Sequence, residues 1–186
     1  MTALLPVAPT LARTGVPDTA DALRLRALAA MESHHSRVTS RDRIGIVDFA
    51  RPSREPRFHI LDLVGGQQHT VLVAHGKGSD PDHRGWLERF SNVPGSEASS
   101  EGAYLTGALY AGKHGRSRRL LGLDASNSNA EVRALVIHGA WYVGPAMVRD
   151  HGMLGRSQGC LAVAGDDLDD VLALLPEGSL IYVDKV

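Results

Sequence analysis

Residues 134–163 read ALVIHGAWYVGPAMVRDHGMLGRSQGCLAV, and this stretch determines most of what the sequence predicts. Its first five residues are a strongly apolar run that ends at His138, which is typical of a buried strand. Its end places Gly159 and Cys160 directly before a second apolar run, 161–163. The segment between His138 and Cys160 is long enough to leave the strand and return. We therefore expect the cysteine to lie beside the histidine.

Outward from this stretch, the chain is β-rich with many glycine-containing turns. Short β-branched or alternating runs predict further strands, and Gly65-Gly66 separates two of them, as in a hairpin. The chain has 20 glycines, spread over several stretches, which indicates tight turns and close backbone approaches. The fold class expected is mainly β (α+β). The predicted strands cover residues 44–49, 58–64, 69–75 and 180–183, and the glycine-rich turns cover 76–80, 94–102 and 112–117.

Two helices complete the predicted fold. Residues 20–31 contain helix formers with an apolar stripe, whereas 166–175 begin with acidic residues and are followed by Pro176. Residues 1–19 are proline-containing and have little periodicity, so we interpret them as an N-terminal arm. Residues 20–186 are interpreted as one domain, which is long enough to bury a core without a disulfide or a metal. The stripe consists of Leu23, Ala27, Leu28 and Met31.

The composition excludes several classes of protein. The 186 residues carry a formal net charge of −1, whereas a protein that binds nucleic acid usually has a basic excess. No apolar run approaches the ~20 residues of a membrane span, and residues 1–19 lack the features of a secretory signal. The single cysteine excludes an internal disulfide and sites with two or four cysteine ligands. We predict no nucleic-acid partner and no integral membrane span.

Cys160 is either an inert buried thiol or a reactive one. It ends the run GRSQGC at 155–160, whose glycines and polar residues are unusual around a core cysteine. Gly159 permits a tight turn in which backbone N–H groups point toward a developing oxyanion, and we assign the backbone of Gln158 and Gly159 to this role. The thiol needs a base to ionise near neutral pH, and a nearby Arg156 would lower its pKa.

His138 is the natural base, because it ends the apolar strand beside the open backbone of Gly139. A histidine at a strand end is often structural, and the residues alone leave this alternative open. A zinc site is another alternative for a chain with nine histidines, but no HxH or HxxxH spacing supports it. We therefore predict no metal and no cofactor. The ligands of such a zinc site would be His75, His83, His138, His151 and Cys160.

Taken together, His138-Gly139 and Ser157-Gln158-Gly159-Cys160 resemble motifs of the L,D-transpeptidase catalytic domain of bacterial cell-wall enzymes. The likeness covers roughly residues 22–186 and favours the murein L,D-transpeptidase branch. Gln158 stands where many members have a histidine, and an apolar run begins at Leu161 where many relatives have an arginine. Further matching stretches are DFARPS at 48–53, VAHGKGS at 73–79, FSN at 90–92, YAGKHG at 110–115 and GRSQGC at 155–160.

The resemblance implies a β-rich catalytic domain that acts on peptidoglycan stem tetrapeptides. Cys160 would form a thioester with release of D-Ala, His138 would be the base, and the carbonyl of Gly139 would orient its ring. An acceptor amine would then give a 3→3 cross-link, whereas water would make the protein an L,D-carboxypeptidase. A catalytically silent peptidoglycan-binding module and a sortase-like peptidase are alternatives. The resemblance also implies export to the periplasm or cell envelope and acylation by carbapenems. Candidate substrate contacts are His75, Lys113, Arg156 and Ser157, and a structural role at a strand end is an open alternative for His75.

Overall fold

The computed structural model describes residues 19–186, which form three α-helices, nine β-strands and two short 3-10 turns. The predicted arm, residues 1–19, lies outside the described residues except for Thr19, which begins the first helix. In this described part, no helix combines the length and the apolar character needed to cross a membrane.

The strands of residues 19–186 pair into a single mixed sheet. They are β1 (Ser40–Asp48), β2 (Phe58–Asp62), β3 (Gln68–Val71), β4 (Val73–Ala74), β5 (Gly102–Gly112), β6 (Gly115–Gly122), β7 (Val136–Gly139), β8 (Leu161–Val163) and β9 (Ser179–Asp184). Their order in the sheet is β3-β2-β1-β9-β5-β6-β7-β8-β4. β1 pairs with β9 in parallel, as does β7 with β8, and the other pairs are antiparallel. The predicted mainly β (α+β) fold class is confirmed.

The helices are α1 (Thr19–Ser33), α2 (Pro145–His151) and α3 (Gly165–Leu174). α1 buries Leu23, Ala27 and Met31 of its predicted stripe, and these pack with residues of β1 such as Ile46. α3 packs against a larger cluster that includes the next residue of β1, Val47. Because successive side chains of a strand point to opposite faces, α1 and α3 cover opposite faces of the sheet.

The hairpin of β5 and β6 departs most from the sequence prediction. The sequence predicts only a turn at 112–117, yet β6 begins inside it at Gly115. The outer half of this hairpin is largely exposed, so it lacks the apolar alternation by which strands are recognised. Its turn consists of Lys113 and His114, between the paired Gly112 and Gly115. Gly115 has a φ of 73°, a left-handed conformation that glycine adopts without strain.

The short helix α2 is also absent from the sequence prediction. It lies within the long connection between β7 and β8 and buries no residue, so it has no apolar stripe to detect. Pro145 occupies its first turn, and Gly152 ends it in a left-handed conformation. The predicted helix 166–175 is observed as α3, shifted by one residue.

Candidate active site

Two adjacent parallel strands bring His138 and Cys160 together. β7 carries His138, and Cys160 directly precedes β8. The register pairs Ile137 with Leu161 and His138 with Ala162. Since side chains alternate between faces with a period of two, Cys160 and Ala162 share a face with His138. Both predicted residues line one cavity of about 310 Å³.

The ring of His138 is almost fully buried and held at one nitrogen. Its side chain belongs to a residue that is 2% exposed, and Nδ1 lies 2.9 Å from the carbonyl oxygen of Gly139. A carbonyl only accepts hydrogen bonds, so Nδ1 carries the proton and, in the neutral ring, Nε2 carries a lone pair. Burial lowers the pKa of His138, and the charges of His114 and Lys113 lower it further. The hydrogen bond to the Gly139 carbonyl acts in the opposite direction and raises this pKa. The neutral form that can accept a proton is therefore favoured.

The thiol of Cys160 is half-buried and protonated at rest. Burial raises its pKa, although the Val136 N–H and the positive charges of Lys113 and Arg133 act in the opposite direction. Sγ makes a long contact of 3.9 Å to the carbonyl oxygen of Ala134. Within residues 19–186, no hydrogen bond joins this thiol to His138. The thiol and the imidazole therefore line the same cavity without a hydrogen bond between them.

The turn before Cys160 is closed by hydrogen bonds of its own. The Gly159 N–H donates to Ser157 Oγ at 3.1 Å, and this hydroxyl donates to the Cys160 carbonyl at 2.7 Å. Gly159 has a φ of 110°, and a Cβ at this position would lie 2.7 Å from the carbonyl oxygen of Ala98, so glycine is required. The Gly159 N–H, which the sequence assigns to an oxyanion, thus has an acceptor within the turn. Ser157 holds this turn and also lines the cavity.

Gln158 is exposed at the edge of the same turn. Its side-chain amide donates to Glu97 at 3.0 Å, and Glu97 also forms an ion pair of 2.8 Å with Lys77. In the described part of the chain, the backbone N–H groups of Gln158 and Cys160 meet no oxygen acceptor. These two donors remain available at the cavity.

His75 lies beneath the site and does not face the cavity. Nδ1 accepts from Arg57 at 2.8 Å, and Nε2 lies 3.3 Å from Asp80. All three residues are at most 1% exposed, and burial together with the Arg57 charge lowers the pKa of His75 to about 4. The structure therefore places His75 in the buried interior, and it does not line the cavity shared by His138 and Cys160. Its backbone carbonyl instead accepts from the Ser157 N–H at 2.9 Å and so supports the cysteine turn.

Three cations line the cavity, and no carboxylate of residues 19–186 does. The guanidinium group of Arg156 donates to the carbonyls of Asp80 and Pro81. Arg133, which the sequence did not single out, donates to carbonyls of the 91–100 segment. Within the described residues, Lys113 has no hydrogen bond or ion pair. The cavity is thus positive, and Lys113 is the cation with its donors free.

The tip of the β5–β6 hairpin forms one wall of the cavity. Its turn residue His114 stacks on the ring of His138, with centroids 4.3 Å apart and planes inclined by 23°. Tyr110, from β5, lines the same wall. Nothing in the sequence predicts this contact, although the YAGKHG stretch that contains His114 is among the stretches that carry the resemblance.

Of the residues of the alternative zinc site, His138 and Cys160 share the cavity, whereas His75, His83 and His151 do not line it. His83 lies 3.0 Å from the carbonyl oxygen of Leu154, and His151 is exposed at the end of α2. Across residues 19–186, no group of three or more His, Cys, Asp or Glu side chains is arranged to hold a metal ion.

Comparison with known proteins identifies a family over most of the chain. Residues 18–183 match the family model of the L,D-transpeptidase catalytic domain. No curated protein is significantly similar in sequence to the chain.

Several solved structures resemble the fold at low sequence identity. An L,D-transpeptidase from Mycobacterium smegmatis is 13% identical, with 77% of this chain and 58% of that chain covered and a TM-score of 0.47. L,D-transpeptidase 3 from Mycobacterium tuberculosis, in complex with a faropenem-derived adduct, is 11% identical, with 77% and 60% covered and a TM-score of 0.49. The helical cell shape determining protein Pgp2 from Campylobacter jejuni is 10% identical, with 87% and 55% covered and a TM-score of 0.49. The match thus spans less than two thirds of each of these proteins.

Proposed function

We propose, from the premise that this chain belongs to the L,D-transpeptidase catalytic domain family, that it is a cysteine acyltransferase of peptidoglycan stem tetrapeptides. The observation that carries this proposal is the cavity shared by His138 and Cys160 on adjacent parallel strands. The anchored Nδ1 of His138 leaves Nε2 as the base, and the single cysteine of the chain supplies the nucleophile. Because peptidoglycan lies outside the cytoplasmic membrane, the proposal includes export to the cell envelope.

The first half of the reaction releases D-Ala. The thiol turns from the Ala134 carbonyl toward His138, whose Nε2 takes the proton as Sγ attacks the carbonyl between the third residue and D-Ala. The N–H groups of Gln158 and Cys160 stabilise the oxyanion of the tetrahedral intermediate. His138 then gives its proton to the departing amine of D-Ala. A thioester on Cys160 and a free D-Ala result.

The second half of the reaction resolves the thioester. The side-chain amine of the third residue of an acceptor stem attacks the thioester carbonyl, and His138 accepts the proton that this amine loses. The thiolate leaves and recovers that proton, which completes a 3→3 cross-link. Attack by water at the same carbonyl gives a tripeptide instead, which is the L,D-carboxypeptidase outcome.

Lys113 holds the carboxylate of the substrate in this proposal. The terminal D-Ala of a tetrapeptide is an anion, and the cavity presents positive charge with no carboxylate from residues 19–186 in its lining. Arg133 and Arg156 are already bonded to backbone carbonyls, whereas the ammonium group of Lys113 is free to donate. Many relatives have an arginine shortly after the cysteine, whereas the 161–163 run has none. In this proposal Lys113, on the hairpin turn, supplies that positive charge instead.

A purified disaccharide-tetrapeptide tests the proposal, with the products identified by mass spectrometry. A 3→3 linked dimer supports transpeptidation, and a tripeptide monomer alone supports carboxypeptidation. Cys160→Ala should give neither product, whereas the control Arg116→Ala, which removes an exposed ion pair with Asp169, should behave as the wild type. Binding of the tetrapeptide without any product would instead support the catalytically silent module.

A further inference from the structure

We propose that His114, in the turn of the β5–β6 hairpin, is a positioning residue that holds the imidazole of His138 with Nε2 toward the cavity. This inference rests on the proposed function, since it assigns a task to a neighbour of the proposed base. His114 touches neither nucleophile nor oxyanion donors in the contacts described above. Its effect on the reaction passes through the ring of His138.

The strand register explains how the turn reaches His138. β6 pairs with β7 so that Ser117 lies opposite His138, and the turn precedes Ser117 by only three residues. The left-handed Gly115 lets the chain reverse after two residues. His114 is therefore carried on a short, strand-anchored turn, and its ring meets that of His138 at 4.3 Å and 23°.

The stacking contact restricts a motion of the His138 ring that its hydrogen bond to Gly139 still allows. Among the described residues, the one hydrogen bond of the His138 ring joins Nδ1 to the Gly139 carbonyl, so the ring can still swing out of its plane about that hydrogen bond. His114 is exposed, whereas His138 is buried, and the stacked ring thus lies between His138 and solvent. It blocks the out-of-plane motion and excludes water, both of which keep a base in its reactive orientation.

The charges around His138 support the same assignment. Desolvation by burial is the largest cause of its lowered pKa, and the charges of His114 and Lys113 act in the same direction. The other titratable groups that face the cavity are Cys160, Tyr110, Tyr142, Arg133 and Arg156. Removal of the His114 ring should expose His138 and reduce the repulsion of its protonated form. The pKa of His138 should then rise.

Two substitutions separate positioning from direct participation in the chemistry. His114→Phe keeps a flat ring over His138 but can neither carry a proton nor bind a carboxylate by a hydrogen bond. His114→Ala removes the ring. If His114 positions His138, the Phe variant should keep kcat within about threefold, and the Ala variant should lose about tenfold in kcat with KM nearly unchanged. If His114 instead transfers protons or binds substrate, the Phe and Ala variants should lose activity to a similar extent.

The deciding measurement is an NMR titration of His138, which needs no substrate. In the full chain labelled with 13C-histidine, the Cε1–H signal of His138 is assigned by its loss in His138→Gln. The titration midpoint of His138 should rise by about 0.5 to 1 pH unit in His114→Ala and by less in His114→Phe. The control Arg116→Ala should leave this midpoint unchanged. A ring-to-ring NOE between His114 and His138 should be present in the wild type.

The results distinguish failure of this inference from failure of the proposed function. An unchanged His138 midpoint in His114→Ala, or a Phe variant as inactive as Ala, would overturn the positioning role. If the titration midpoint of His138 shifts in His114→Ala but the protein never converts the tetrapeptide, the positioning role of His114 is supported and only the proposed reaction is rejected. If His114→Ala does not fold, His114→Gln replaces it, and equal kcat in the Gln and Phe variants would count against the inference.

Discussion

Two histidines of this chain are buried to almost the same extent, yet their surroundings differ in one respect. His75 is 1% exposed and has both ring nitrogens engaged, by Arg57 on one side and Asp80 on the other. His138 is 2% exposed, and among residues 19–186 its ring has a hydrogen-bond partner only at Nδ1, the Gly139 carbonyl. The second nitrogen of His138 is left for the cavity that also contains Cys160.

The comparison shows that burial and a lowered pKa do not by themselves identify a catalytic base. Both histidines have a lowered pKa, chiefly because both are buried. His75 is satisfied on both sides and holds its neighbours in place, as buried polar groups generally do. Within the described part of the chain, Nε2 of His138 has no hydrogen-bond partner, and His138 lines the same cavity as the Cys160 thiol. Substitutions at Cys160, His138, His75 and Lys113 test this contrast.

Replacement of Cys160 by alanine should abolish turnover and leave the fold intact. The thiol is only half-buried, its contact with the Ala134 carbonyl is long at 3.9 Å, and alanine keeps the Cβ that packs against the core, so little packing is lost. A carbapenem should add one inhibitor mass to the wild-type chain, because its strained amide acylates a thiolate, and none to Cys160→Ala. Intact-protein mass spectrometry with peptide mapping checks this. An adduct that persists without Cys160 would reject it as the nucleophile.

Replacement of His138 by alanine should lower the rate by ~10²–10⁴-fold, the usual contribution of a positioned acid or base. Turnover of the disaccharide-tetrapeptide measures the effect, and thermal unfolding verifies the fold. Acylation of Cys160 by the carbapenem should slow in the same variant. If His138→Ala kept nearly full activity, His138 would not be the base, and its free ring nitrogen would not distinguish it in function from His75.

His75 should make the stability of the protein depend on pH. An unfolded histidine binds a proton near pH 6.5, but burial keeps folded His75 neutral down to a pKa of about 4. In this window the unfolded state holds more protons, so the free energy of unfolding should fall by about 3 kcal/mol as the pH drops from 6.5 to 4. Urea unfolding across this range measures the loss.

A matched pair of variants isolates this contribution. His75→Gln can accept from Arg57 and donate to Asp80 but does not titrate, so its stability should fall less between pH 6.5 and 4 than that of the wild type. His138→Gln should keep most of the wild-type slope. Identical slopes in the wild type and His75→Gln would contradict the structural role of His75.

Replacement of Lys113 by alanine should have the smallest of these effects. Loss of one charge-assisted hydrogen bond to the substrate carboxylate should raise KM about tenfold and change kcat little. Lys113→Arg should restore most of the affinity, since it keeps the charge. Steady-state kinetics with the tetrapeptide checks this, and an unchanged KM would assign the carboxylate to Arg133 or Arg156.

The sequence could predict those parts of the fold and site whose cause is local. The apolar run before His138 and the stripe of α1 are periodic, and the glycine at 159 marks a tight turn, so each follows from its own neighbours. The β5–β6 hairpin did not follow, because its outer half is exposed on both faces. The contacts of His114 and of Arg57 were also hidden, since they join residues far apart in sequence through the sheet register.

The raised pKa of the Cys160 thiol also bears on oxidative damage. Peroxides attack the thiolate and not the thiol, so burial, which raises the pKa of Cys160 and favours its protonated form, protects Sγ from oxidation. This protection is needed, because the chain contains no second cysteine. A sulfenic acid formed at this position would have no resolving thiol within the chain, and its repair would depend on an external reductant.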